Sequence, residues 1–165
     1  MSTALLDLPD FLNDSDFTPP FWLRNPHLQT IVGRRQRGFP CYERTVIDTP
    51  DGDFLDLDWL RRAGRTRLVV LSHGLEGSSR SFYMCGMAQM LDEAGWDILA
   101  WNMRGCGGRP NRRVHSYHSG FTDDLATVLT SVERSARYTT IVLIGFSVGG
   151  NITLKYLGEL GSSVS

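Results

Sequence analysis

At 165 residues and a net charge of −1, the chain is sized for one compact domain and lacks the basic excess of a nucleic-acid-binding surface. Its apolar fraction of 41% is that of a globular protein, and no stretch is long and apolar enough to cross a membrane. Three cysteines (Cys41, Cys85 and Cys106) have neither disulfide-framework nor metal-ligand spacing and fit a reducing cytosol, and the acidic N-terminus is not a secretory signal.

Residues 1–38 read as an extension that packs on the body through Phe17, Phe21 and Trp22, with prolines that oppose long regular elements. Residues 39–165 are expected to be the N-terminal part of the main domain. Tyr42 to Thr49 reads as a strand, Pro50-Asp51-Gly52-Asp53 as a turn, and Phe54 to Leu60 as a second strand with Asp56 and Asp58 on its other face. Leu68 to Leu71 is a short continuous apolar run, the pattern of a strand covered on both sides. A helix is expected over Ser79 to Ala94, with Phe82, Cys85, Ala88 and Leu91 on one face and Gly95 ending it. A strand follows at Asp97 to Asn102.

Met103 to Gly120 is a loop of functional length. Leu125, Val128, Leu129 and Val132 fall at i, i+3, i+4 and i+7 of a helix whose first turn carries Asp123 and Asp124. Ile141 to Ile144 is another apolar strand, followed by a helix through Ile152, Tyr156 and Leu160. Strand and helix alternating after a hairpin predict an α/β fold with a mainly parallel sheet. The arginines at 34, 35 and 37 and at 61, 62, 65 and 67 are expected in solvated loops.

The chemistry centres on Gly145-Phe146-Ser147-Val148-Gly149, a G-x-S-x-G pattern between a strand and a helix. A sharp turn of this kind lifts a serine hydroxyl above a sheet as a nucleophile, and glycines on either side let strand and helix approach. Acyl transfer also needs two backbone N–H groups for the oxyanion. Val148 supplies one, and Leu75, in Ser72-His73-Gly74-Leu75-Glu76-Gly77-Ser78, is the natural second.

With these motifs, and with Asn25-Pro26-His27-Leu28-Gln29-Thr30, Arg104-Gly105-Cys106-Gly107-Gly108, Tyr117-His118-Ser119-Gly120 and Gly145 to Asn151, the chain resembles the YheT-like α/β hydrolases related to the ABHD1/ABHD3 esterase group. The resemblance implies an α/β-hydrolase fold and a serine hydrolase of carboxylesterase or acylglycerol-lipase type. It implies a small acyl-ester substrate and no metal or organic cofactor. In that fold the acid and histidine follow the serine along the chain. Here only Glu159 offers a carboxylate side chain after Ser147, and no histidine follows, so the domain is expected to be cut short after the elbow helix and inactive alone.

His73 is spatially the best substitute base, although bracing of the loop is the simpler role. His115 and His118 are expected to anchor the long loop, His27 to be structural, Glu76 to hold a loop, and Cys106 to be an ordinary thiol. A second reading is a noncatalytic fragment that binds a ligand, itself or a complementary C-terminal half through the exposed edge at Ile141 to Ile144. A dinucleotide-binding unit is a poor match, because the G-x-G-x-x-G spacing fails.

Overall fold

The computed structural model describes residues 18–32 and 38–161, and the side-chain environments of 30–32 are outside that description. The chain divides into two units, Met1–Arg35 and Gln36–Ser165. In the first, a short 3₁₀ turn at Phe21–Leu23 precedes helix α1 (Pro26–Val32). The prolines keep these elements short: Pro26 opens the helix, where its missing N–H costs nothing. Phe17 and the arginines at 34, 35 and 37 lie outside the described residues.

The second unit contains strands β1 (Glu43–Asp48), β2 (Phe54–Leu60), β3 (Arg67–Ser72), β4 (Asp97–Asn102) and β5 (Thr140–Gly145). Helices α2 (Phe82–Glu93), α3 (Asp123–Arg134) and α4 (Val148–Leu160) alternate with the last three. The strands form one sheet in the order β1-β2-β4-β3-β5. β1–β2 and β2–β4 pair antiparallel, while β3 pairs parallel with both β4 and β5. β2 therefore runs against the other four.

The predicted strands all form, within a residue at either end. Alternation along them sends side chains to two cores. Leu55, Leu57, Leu68, Val70, Leu99 and Trp101 face Leu125, Val128, Leu129 and Val132 of α3 and Ile152 of α4. Val69, Leu71, Ile98 and Ala100 face Met84 and Ala88 of α2. Full burial of such side chains contributes about 1.5–3 kcal/mol each.

The inner face of α2 differs from expectation. Met84 is buried, whereas Phe82, the first residue of a helix that starts there rather than at Ser79, is 44% exposed. Asp56 and Asp58 also differ from a solvated polar face. Both are buried, and the alternation that places Leu55 and Leu57 on the α3 side sends them to the α2 side. Arg44 forks onto Asp58 at 2.7 Å through both Nε and Nη2, and Asn102 Nδ2 donates to Asp58 Oδ2 at 3.0 Å. Buried carboxylates are tolerated only with such partners.

The arginines after β2 are largely exposed, as expected of a solvated segment, and are also paired there. Arg62 and Arg65 both bond Asp92 of α2, and Arg61 and Arg67 lie over the rings of Trp59 and Trp96. The Arg62 bond, opposed by burial and aided by Arg65, pulls Asp92 down to about 2. A carboxylate held below its unfolded value of about 3.9 adds stability that is complete above that pH and is lost as pH falls toward 2. Asp92→Asn is therefore expected to lower the urea midpoint at pH 7. The gap to the parent should narrow steadily between about pH 4 and pH 2; a gap that does not change with pH would remove this assignment.

Candidate active site

Ser147 occupies the turn between β5 and α4 with φ 52° and ψ −117°, a conformation that residues with a Cβ rarely adopt, and it is exposed. Glycines permit the turn. A Cβ at Gly145 would lie 2.5 Å from the Gly149 carbonyl and from the Gly150 backbone, and one at Gly149 would lie 2.5 Å from the carbonyls of Ser72 and His73. The turn is tied to β3 by the Phe146 N–H, which donates to the Ser72 carbonyl at 2.9 Å. α4 begins when the Asn151 N–H reaches the Ser147 carbonyl at 3.0 Å.

The loop after β3 lies against this turn. A Cβ on Gly74 would be 3.4 Å from the Ser147 Cβ and 3.4 Å from the Phe146 carbonyl. Glu76 in the same loop also has a positive φ, 53°, so two of the three non-glycine residues with positive φ among the described residues flank one spot. The Gly74 carbonyl accepts from the Gly77 N–H at 3.0 Å and bonds His73 Nδ1 at 2.7 Å. Because a trans peptide sets N–H opposite C=O, fixing the Gly74 carbonyl also fixes the direction of the Leu75 N–H. Among the described residues neither the Leu75 N–H nor the Val148 N–H has a hydrogen-bond partner. The Val148 amide also sits at the positive end of the α4 dipole.

His73 is fully buried. Its Nε2 accepts the Met103 N–H at 3.0 Å, which leaves the proton on Nδ1 for the Gly74 carbonyl. Burial lowers its pKa, against the effect of the Gly74 bond, so the ring is neutral. With both nitrogens engaged, His73 joins the loops after β3 and β4 and has no lone pair free for Ser147.

The long loop closes round the same region. Asn151 Nδ2 of α4 donates to the Ser119 carbonyl at 2.8 Å. The Gly120 N–H donates to His118 Nδ1 at 3.1 Å, and the rings of His115 and His118 pack on Phe121 at 4.8 and 5.7 Å. Burial pushes the Cys106 thiol up, the opposite of an activated nucleophile.

Arg104 anchors the loop at its start. Its guanidinium bonds Asp124 at 2.7 and 2.9 Å and Asp51 at 2.6 Å, joining the loop to the start of α3 and to the β1–β2 turn. A cleft of about 800 Å³ opens beside this anchor, between the β1–β2 turn and α3, and Ser147 is not among its lining residues. Among the described residues no three His, Cys, Asp or Glu side chains converge as a metal site, and no helix is long and apolar enough to cross a membrane.

A sheet that feeds a strained, exposed serine into a helix N-terminus defines a class of α/β protein, and residues 67–165 match the family model described as the alpha/beta hydrolase fold. The chain belongs to that family. It is 36% identical to "Putative esterase YheT" of Escherichia coli K12 over 166 residues, covering 96% of this chain and 48% of that protein. It is 30% identical to human "Phospholipase ABHD3" over 129 residues, covering 73% of this chain and 32% of that one. The chain thus spans half or less of the length of these curated relatives. Among solved structures, the Pyrococcus furiosus esterase Pf2001 superimposes with a TM-score of 0.63 at 24% identity, over 72% of this chain and 47% of that one; this likeness concerns the fold.

Proposed function

We propose that the protein is a serine hydrolase acting on acyl esters, with Ser147 as nucleophile and the Leu75 and Val148 N–H groups as oxyanion donors. The observation that carries this reading is the exposed serine at φ 52°, placed against a loop with a free amide and followed by a second free amide. Relatives named as an esterase and a phospholipase support it.

In the reaction the Ser147 Oγ attacks the acyl carbonyl carbon while a base takes its proton. The carbonyl π electrons move onto oxygen, where the two amides stabilise the charge. Collapse expels the alcohol as it regains a proton, and water then releases the acid by the same path. This chemistry requires no metal or organic cofactor. His73 is not the base, since its ring nitrogens are engaged. We assign the base and its acid partner to the part of the protein that corresponds to the remaining length of the relatives.

The test is a fluorophosphonate probe on the full-length protein, with mass spectrometry of the labelled peptide. A single adduct at Ser147 is expected, and an adduct elsewhere, or none on an active esterase, overturns the assignment.

A second reading applies to the 165-residue chain taken alone. Among the described residues β5 forms one edge of the sheet, Val142 on it is 37% exposed, and Leu154 of α4 is 73% exposed. An open apolar edge pairs with another strand. By itself the chain would then self-associate or bind a complementary segment, and sedimentation velocity at low micromolar concentration decides this; a stable monomer contradicts it.

A further inference from the structure

The loop beside Ser147 presents four successive backbone N–H groups. Gly74 donates to Tyr83 Oη at 2.9 Å, Glu76 to Tyr117 Oη at 2.8 Å, and Gly77 to the Gly74 carbonyl at 3.0 Å. The Leu75 N–H, between the two tyrosine-bonded amides, has no partner among the described residues. The two phenols come from different elements. Tyr83 is in the first turn of α2 and its ring packs on Phe146, the residue before Ser147, at 4.8 Å between centroids. Tyr117 belongs to the long loop and meets the His73 ring edge-on at 6.4 Å.

Resting on the acyl-transfer reading above, we propose that Tyr83 and Tyr117 are positioning residues for that reaction. Their phenols take up the amides on either side of Leu75, so that among these loop amides the Leu75 N–H is left to join the Val148 N–H in facing the developing oxyanion. Tyr83 sets the loop relative to the turn at Ser147, and Tyr117 sets it relative to the loop after β4.

The surrounding geometry fits this role. A Cβ on Gly77 would lie 2.6 Å from Tyr83 Oη, so the loop is folded closely about that hydroxyl. Glu76 keeps its unfavourable φ of 53° while its N–H is held by Tyr117. Strain of this kind persists only where neighbours over-determine it. Burial raises the Tyr117 pKa, so the phenol stays protonated at neutral pH. An oxyanion donor contributes most when it is fixed before the charge develops. A loop released at Gly74 or Glu76 would have to reorganise during the chemical step.

Tyr83→Phe and Tyr117→Phe keep the rings and delete only the hydroxyls, and both belong in the full-length protein. Sites are counted by fluorophosphonate titration. For each variant, kcat per titrated site is expected to fall about tenfold or more while KM stays within about twofold. Affinity for a boronic acid that mimics the tetrahedral intermediate should weaken by the same factor as kcat. A tyrosine needed only for folding would lower the thermal midpoint and the titratable fraction, leaving kcat per site and boronate affinity as in the parent. That result overturns the proposal, as does a rise in KM at constant kcat. If a Phe variant folds poorly, fluorotyrosine at the same position, a weaker acceptor of similar shape, is expected to lower kcat without a change in midpoint, and unchanged kcat again overturns the proposal. Failure of the parent to label at Ser147 defeats the acyl-transfer reading and this proposal with it. A parent that labels normally beside indifferent variants defeats the tyrosine roles alone.

Discussion

Replacing Ser147 with alanine is expected to abolish ester hydrolysis by the full-length protein, by about four orders of magnitude or more in kcat, with the fold retained. In the proposed mechanism the loss follows from removing the atom that attacks the acyl carbon in the first step; binding and oxyanion stabilisation would remain but have no nucleophile to serve. Ser147→Gly should be equally inactive yet more stable than the parent by about 1 kcal/mol, because glycine accepts φ 52° without the Cβ clash. Activity and stability therefore move in opposite directions at one position. Turnover by either variant at more than about a tenth of the parent rate would remove Ser147 from the mechanism.

The second large effect is at Gly149. A methyl group there would sit 2.5 Å from two backbone carbonyls at the end of β3, and neither oxygen can rotate away as a side chain can. Gly149→Ala is expected to cost about 3 kcal/mol or more, and to remove fluorophosphonate labelling even where the protein still folds. Gly158, in the same helix, has open space around its Cβ position. Gly158→Ala should raise stability by up to about 1 kcal/mol through helix propensity alone. Urea unfolding of the two variants checks the contrast; similar midpoints would mean that the close approach of α4 to β3 does not govern stability.

The fold was legible because its strands are apolar and short and its helices periodic. Leu125, Val128, Leu129 and Val132 all face the core as their spacing implies, and β4 runs over the residues expected of it. The α/β-hydrolase fold and the similarity to the YheT and ABHD3 relatives also agree with what the motifs implied. Ser147, Leu75 and Val148 could be singled out because glycine spacing reports backbone geometry.

Partners distant in sequence were less legible. Asp58 has the alternation of a surface residue, and only the placement of Arg44 and Asn102 makes it a buried acceptor. Arg62 and Arg65 read as a solvated cluster, and nothing local shows that α2 also brings Asp92 beside them. Tyr83 and Tyr117 lie 9 and 41 residues from the amides they hold, and no local pattern marks them. Their one advance signal was that Tyr117 opens a motif already singled out in the long loop.

The strand order has a consequence for how the molecule comes into being. The β1–β2 hairpin and the β3–α2–β4 unit join segments close in sequence, whereas β5 must find β3 across α2, β4, the long loop and α3. Closing that larger loop carries the greater entropic cost, and the N-terminal segments leave the ribosome first. The strained backbone at Ser147 depends on Gly149 seating against β3 and on the Phe146 N–H reaching Ser72, contacts that exist only after β5 has docked. Loop-closure entropy thus favours an order of assembly in which β1 to β4 pair before the turn at Ser147 acquires its strained backbone.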